Sequence, residues 1–234
     1  MNAEIANRLL KLSVVAFVVS VLAACAATPQ NPVSLNTHVL ENKQNRVGVM
    51  VSNLPELDVY LPGAGCLLCI GLAESMNSSL SSHVDSLNAE EFSVVKSELA
   101  QRLKAKGVNV VPIEQPVDVS ELPKYSSDLP NTAKNDFSAL KEQYDISHLL
   151  IVDVQYLGMW RSYANYVPTT DPVAYLKATS YMVNLDNNTY EWFLPIELKK
   201  SADGDWDEPP NFPGLTNAYY QVLAEGREEI VSKF

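Results

Sequence analysis

Residues 89–113 read A-E-E-F-S-V-V-K-S-E-L-A-Q-R-L-K-A-K-G-V-N-V-V-P-I, a helix pattern that runs directly into a strand pattern. Apolar side chains recur at spacings of three and four from Phe92 to Leu103, which predicts an amphipathic helix over residues 89–106. Gly107 stands where a helix C-cap is expected, and the strand follows at once over residues 108–113. A second apolar, β-branched strand is predicted upstream, over residues 46–51. A strand, a helical crossover and another strand predict a right-handed parallel βαβ unit.

The rest of the chain extends this unit with longer strands. Residues 148–157 begin as an unbroken apolar run, which is typical of a central strand buried on both faces. Residues 174–185 and 190–198 flank the turn sequence D-N-N-T, which predicts an antiparallel hairpin, and a last helix is predicted over 217–233. We therefore expect an α/β fold: a single domain over residues 46–234, with a mixed sheet (parallel βαβ start, antiparallel C-terminal hairpin) covered by helices.

The N-terminus has the features of an export signal. Arg8 and Lys11 precede an apolar run, residues 12–22, that is too short to span a bilayer as a permanent helix. The sequence Leu22-Ala23-Ala24-Cys25 then resembles the lipobox of bacterial lipoproteins, in which the cysteine is diacylated and becomes the mature N-terminus. This resemblance implies a signal peptide at residues 1–24 and a lipidation site at Cys25. A plain signal peptide, or a short uncleaved anchor with a chance cysteine, is the alternative.

A lipid on Cys25 would hold the protein on a membrane without spanning it. The next residue is Ala26 rather than Asp, which resembles the sorting signal for the outer membrane in enteric-type bacteria. Residues 25–45 are polar, contain prolines and show no periodicity, so we expect a flexible tether there. The expected location is the cell outer membrane, lipid-anchored and facing the periplasm.

Composition limits the kinds of partner. A hydrophobic content of 47% is typical of a globular protein. The formal net charge of −11 should repel nucleic acid, so no nucleic-acid partner is expected. The three histidines, His38, His83 and His148, are scattered along the chain. We therefore expect no metal site, no cofactor and no catalytic residue set.

Cys66-Leu67-Leu68-Cys69 is the sharpest local motif. Two cysteines at this spacing can close a small structural disulfide or remain as buried thiols. A pair at a helix N-terminus can instead have a lowered thiol pKa and act in redox catalysis. Both interpretations stay open on the sequence alone, and a thiol-disulfide oxidoreductase is therefore one alternative function.

Two aromatic loops are candidates for a binding surface. One supplies Trp160, Arg161 and Tyr163, and the other supplies Trp206. Aromatic and arginine side chains are enriched at binding hot spots, although they also pack against a domain's own edge. A carbohydrate- or peptidoglycan-binding module is the second alternative function. Asp153, within an apolar strand, needs a partner such as Arg161 or a backbone N–H group.

Several segments together resemble a group of envelope lipoproteins. They are the lipobox, the strand R-V-G-V-M-V, the helix S-E-L-A-Q-R-L-K-A-K-G leading into V-N-V-V, and D-F-S-A-L-K-E-Q-Y-D-I-S-H-L-L-I-V-D-V. The group includes the curli-secretion lipoprotein and the lipoprotein activator of a peptidoglycan synthase, and the resemblance covers about residues 46–157. It implies a non-enzymatic protein that assembles with itself or binds a protein partner in the cell envelope.

Overall fold

We describe a computed structural model of the chain over residues 29–115 and 117–234. Residues 32–234 form one compact unit. The predicted signal peptide and Cys25 lie outside the described residues. Within the described part of the chain, no helix is long and apolar enough to cross a membrane.

The centre of the fold is a mixed β-sheet with the order β3-β1-β4-β7-β8. Its strands are β1 (Arg46–Val51), β3 (Asn109–Pro112), β4 (His148–Trp160), β7 (Val173–Asn184) and β8 (Thr189–Ser201). The β3, β1 and β4 strands are parallel, whereas β4, β7 and β8 are antiparallel. This arrangement confirms the predicted α/β class, the parallel start and the C-terminal hairpin.

A short strand that the sequence pattern does not show, β2 (Asp58–Tyr60), pairs in parallel with the last residues of β4. It lies on the same side of β4 as β1, further along the strand. A two-stranded ribbon, β5 (Tyr163–Ala164) and β6 (Val167–Pro168), follows β4. The aromatic loop predicted to supply Trp160, Arg161 and Tyr163 is therefore partly strand.

The first face of the sheet is covered by helices. They are α3 (Ser78–Val84), α4 (Glu90–Ser93), α5 (Val95–Ala105) and α7 (Pro213–Val231). The predicted helix over residues 89–106 is thus divided at Val94 into α4 and α5. Alternate apolar residues of the strands, such as Leu150, Val152 and Leu176, pack with these helices into the main core.

The second face is covered over only part of its length. There Ile151, Tyr181 and Phe137 pack in a second core with the loop after β3 and with helix α6 (Ser138–Tyr144). Towards the ends of β4 and β8 that carry Trp160 and Ser201, this face is lined by polar and aromatic side chains instead. Helix α2 (Leu67–Met76) lies beside that end of the sheet.

The predicted domain boundary at residue 46 needs a correction. Val33 forms an antiparallel bridge with Phe193 of β8, and helix α1 spans Thr37–Glu41. Val39 and Leu40 are buried in the main core. The expected flexible tether is therefore part of the folded unit from Pro32 onward, because its few apolar residues fill gaps at the sheet edge.

Candidate functional site

The open part of the second sheet face carries aromatic and charged side chains in register. Tyr156 pairs with Lys177 across β4 and β7, and Lys177 pairs with Glu197 across β7 and β8. Tyr175 likewise pairs with Lys199. Since side chains alternate between the faces of a strand, these residues share one face.

A glycine brings β2 onto this face. Gly158, directly opposite Asp58, has φ of 141°, a conformation that L side chains rarely adopt. A Cβ atom built there would lie 2.1 Å from the Asp58 carbonyl oxygen. The absent side chain therefore allows β2 to approach, and it places Tyr60 beside the aromatic residues of β4 and β7.

Tyr60 is fixed further by a bulge in β4. The register between β4 and β7 shifts between Val154 and Tyr156. Beyond this shift, the Leu157 N–H donates to the Tyr60 hydroxyl at 3.2 Å. Burial raises the pKa of Tyr60, so its hydroxyl stays protonated at neutral pH.

Four aromatic rings make a continuous cluster. The ring centroids of Tyr60 and Tyr156 are 4.9 Å apart, and those of Trp160 and Tyr175 are 4.8 Å apart. Tyr175 is buried at the base of the cluster, whereas Tyr156 is 40% exposed. These centroid distances are typical of edge-to-face and tilted aromatic pairs.

Lysines lie over the rings, and a carboxylate lies beside them. The Lys199 Nζ is 3.9 Å from the centroid of Trp160, and the Lys177 Nζ is 5.7 Å from that of Tyr156. Lys199 also pairs with Glu197 at 3.3 Å. Burial, helped by the Glu197 carboxylate, raises the pKa of Tyr175 to about 12. The phenol is thus neutral, and ammonium, carboxylate and hydroxyl groups lie within one small area.

The four aromatic residues, Lys177 and Glu197 line a groove of about 590 Å³, and Lys199 lies beside it. It runs from helix α2, where Ile70 and Glu74 line it, across β2 to Lys177 and Glu197 on the sheet. We call it the aromatic groove. Its volume lies in the range of small-molecule sites, about 300–1,000 Å³.

Helix α2 beside the groove is apolar on its outer surface. Leu67 is 92% exposed and Leu68 is 72% exposed, and Ile70, Leu72 and Met76 are exposed as well. Only Cys69 and Ala73 of this helix are buried. Large apolar side chains exposed together in this way make the outer surface of α2 a candidate interaction surface. We call the outer surface of α2 the leucine surface.

A disulfide joins Cys66 and Cys69 at the start of α2. Cys66 is the exposed N-cap residue, and its Sγ accepts a hydrogen bond from the Cys69 N–H at 3.0 Å. Cys69 is buried among Ala64, Ala73 and Tyr163. The covalent ring therefore holds the two most exposed leucines, Leu67 and Leu68, at the first turn of the helix.

The four aromatic-loop residues predicted as a binding surface are separated in the fold. Trp160 lines the aromatic groove. Tyr163, by contrast, is buried, and its hydroxyl accepts a hydrogen bond from Asn77 at 2.7 Å. Its predicted place on an accessible surface is corrected to a packing role, because its ring fills the space beneath α2.

Arg161 and Trp206 form a separate contact. The Arg161 guanidinium lies 4.8 Å from the Trp206 ring centroid and donates to the Asn77 side chain at 3.0 Å. Trp206 in turn stacks on Phe212. This contact joins the two loops to the end of α2, and it lies outside the groove.

Two polar residues of β4 have hydrogen-bond partners close to them in the sequence. Asp153 accepts a hydrogen bond from the Gln155 side chain at 2.7 Å, rather than from Arg161. His148 is buried, as the strand start predicts, and its Nδ1 lies 2.9 Å from the Ser147 hydroxyl. Burial lowers the pKa of His148. Among residues 29–115 and 117–234, no group of three His, Cys, Asp or Glu side chains could hold a metal ion.

Sequence reasoning missed most of the aromatic groove. The predicted strands over 174–185 and 190–198 include Tyr175, Lys177 and Glu197 without a role, and Lys199 lies just beyond the second strand. The signal that could have found them is the alternation of Y-x-K in one strand and E-x-K in its hairpin partner. That pattern places four functional side chains on one face.

Comparison with known proteins gives similarities of fold at low sequence identity. No family model and no curated protein matches the chain. A DUF330 protein from Xanthomonas campestris is 12% identical, with a TM-score of 0.40 over 88% of this chain and 93% of that chain. A putative neuraminyllactose-binding hemagglutinin homolog from Helicobacter pylori is 13% identical, with a TM-score of 0.41 over 89% and 88%.

The lipoprotein GNA1162 from Neisseria meningitidis is 12% identical, with a TM-score of 0.32 over 80% of this chain and 99% of that chain. At these identities and TM-scores, the similarities assign neither a family nor an activity to the chain.

Proposed function

We propose that the protein is a lipid-anchored lipoprotein of the bacterial outer membrane that faces the periplasm and binds a protein partner through the leucine surface. It acts as a non-enzymatic binding or assembly component of the envelope. The observation that carries this proposal is the 92% and 72% exposure of Leu67 and Leu68. Burying each such side chain in an interface contributes about 1.5–3 kcal/mol of favourable free energy, which would stabilise a complex with a partner.

The leucine surface lies far from the point where the N-terminal segment joins the sheet. A lipid on Cys25 is separated by eight residues from Val33, which pairs with Phe193. Phe193 in turn pairs with Tyr181, eight residues along β7 from the Val173 end. That separation amounts to about 27 Å along the sheet. Helix α2 lies at the Val173 end, so the Val33 bridge and the leucine surface belong to opposite ends of the sheet.

The disulfide supports docking for a different reason. Leu67 and Leu68 are the two residues inside the Cys66–Cys69 ring, so their backbone is held before any partner arrives. A surface that is ordered in advance loses less conformational entropy on binding. The resemblance of residues 46–157 to the curli-secretion and synthase-activator lipoproteins supports the same proposal, because it implies a non-enzymatic protein that binds or assembles in the envelope.

The test is site-specific photo-crosslinking in intact cells. A photo-reactive amino acid is placed at Leu68 and, as the control, at Leu129, another exposed leucine (50%) in the distant loop after β3. We expect a discrete adduct with a second protein from Leu68 only, and its loss on adding Leu67→Glu. An adduct at twice the chain mass identifies a second copy as the occupant, and lipid adducts identify the membrane. Either of these results, or equal labelling from both positions, overturns the protein-partner proposal.

The anchor is tested in the same cells with Cys25→Ser. We expect this variant to leave the membrane fraction, while the protein with Cys25 stays in the outer-membrane fraction. Retention of the serine variant in the membrane contradicts anchoring through Cys25.

A further inference from the structure

We propose that the aromatic groove is a binding site for a neutral oligosaccharide. This site is separate from the leucine surface, and it does not depend on the proposed protein partner. The proposal follows from the aromatic walls of the groove, its paired donors and acceptors, its charge and its volume.

The aromatic walls suit the apolar faces of pyranose rings. A pyranose presents C–H groups on its ring faces and hydroxyl groups around its edge. Tyr156 is 40% exposed in the groove and offers the accessible ring, whereas Trp160 packs against Tyr175 and lies under Lys199. Tyrosine and tryptophan provide a large, rigid apolar surface together with a polar group, which is what a half-polar ligand needs.

The polar side chains suit hydroxyl groups rather than an ion. A hydroxyl both donates and accepts hydrogen bonds. Lys177 supplies donors, Glu197 supplies acceptors, and the two are cross-strand neighbours on β7 and β8. Asp58 adds a second carboxylate on the β2 side of the groove. Ligand hydroxyls therefore meet a donor and an acceptor on the sheet side of the aromatic cluster and an acceptor on the β2 side.

Charge favours a neutral ligand. The groove is lined by three carboxylates, those of Asp58, Glu74 and Glu197, and the whole chain has a formal net charge of −11. This field repels acidic sugars. Organic cations meet the ammonium groups of Lys199 and Lys177, which already lie over the Trp160 and Tyr156 rings.

The shape of the groove favours a chain over a single ring. Its volume of about 590 Å³ has room for more than one pyranose. Its lining extends from Ile70 on helix α2 across β2 to Glu197 on β8. A short oligosaccharide can follow this path with its ends in solvent.

The experiment is calorimetric titration of the full-length protein, purified in a non-glycosidic detergent. The probes are chitotetraose, cellotetraose, maltotetraose and xylotetraose, with tetragalacturonate as an acidic sugar and tetralysine as a basic peptide. We expect saturable binding of at least one neutral tetrasaccharide. Tyr156→Ala should weaken it by about tenfold, the effect of losing one aromatic contact. Lys177→Met should also weaken it, since the alkyl chain stays while the donor is lost.

The control is Tyr166→Ala, which removes an exposed tyrosine (57%) on the β5–β6 ribbon that does not line the groove. This variant, and Leu68→Glu on the leucine surface, should bind the sugar like the unchanged protein. Circular dichroism confirms that each variant is folded. Absence of binding to all four neutral probes overturns the proposal, as does binding that Tyr156→Ala leaves unchanged or binding of tetralysine or tetragalacturonate alone.

Discussion

The aromatic groove depends on one glycine, because this residue lets β2 pair closely with β4. Gly158 lies in β4 opposite Asp58, and its backbone conformation is one that only glycine adopts readily. Tyr60 reaches the other aromatic rings because β2 can pair closely at this point. The groove therefore depends on a residue that contributes no side chain to it.

We predict that Gly158→Ala destabilises the protein by about 1–3 kcal/mol, the usual cost of a side chain in a sparsely populated conformation. The new Cβ would also lie 2.1 Å from the Asp58 carbonyl oxygen, so β2 must move. Urea unfolding followed by circular dichroism measures the loss.

Gly71→Ala is the matched control, because a Cβ at Gly71 in helix α2 meets nothing within 4 Å. It should be neutral or stabilising by up to about 1 kcal/mol, since alanine favours helix. Equal unfolding midpoints for Gly158→Ala and the unchanged protein would contradict the role given to Gly158.

At the scale of elements, helix α2 is held in place mainly by its disulfide and makes few other stabilising contacts. It buries only Cys69 and Ala73, whereas α7 buries residues along its whole length. Asn77 and Tyr163 fix its C-terminal end through a hydrogen bond of 2.7 Å. The N-terminal end, which carries Leu67 and Leu68, depends on the Cys66–Cys69 ring.

We predict that the double variant Cys66→Ser, Cys69→Ser loosens α2 locally. Closing a ring of four residues stabilises by about 2 kcal/mol on the chain-entropy estimate. Hydrogen exchange should therefore speed up over Leu67–Met76 and stay unchanged in β4 and β7. Addition of a reductant to the unchanged protein should give the same pattern. Faster exchange throughout the sheet would show instead that the disulfide supports the whole domain.

The elements also show why sequence reasoning succeeded for some parts and failed for others. The β7–β8 hairpin is local, so its turn and its alternation are enough to predict it. Strand β2 has three residues, and its partners lie a hundred residues away in β4, so no local period reveals it. Helix α2 is difficult to interpret from its sequence, because an apolar run usually indicates a core, whereas here it lies at the surface.

The candidate site divides in the same way. Trp160 could be selected by residue type, because tryptophan near a loop is common at binding surfaces. Residue type selects Tyr163 for the same reason, yet Tyr163 is buried. The tertiary packing of α2 decides which aromatic ring is covered, and the sequence does not show that packing. Tyr175 and Lys177 can be recognised as candidate site residues only when the pairing of β2 with β4 and of β7 with β8 is known.

At the scale of the whole molecule, the N-terminal segment determines where the domain begins. Composition places the boundary at residue 46, while the compact unit starts at Pro32. The segment adds a bridge from Val33 to the edge strand β8 and two buried side chains, Val39 and Leu40. Covering part of an edge strand also protects it from pairing with other chains.

We predict that a chain beginning at Arg46 is less stable than one beginning at Pro32 by about 3–6 kcal/mol, from about 1.5–3 kcal/mol for each of the two buried side chains. Urea unfolding of the two soluble chains measures the difference. A third chain, beginning at Pro32 with Val39→Ala and Leu40→Ala, separates the apolar burial from the backbone bridge at Val33. If burial dominates, this third chain unfolds close to the chain that begins at Arg46. Equal stability of the two truncated chains would instead make residues 32–45 a spacer.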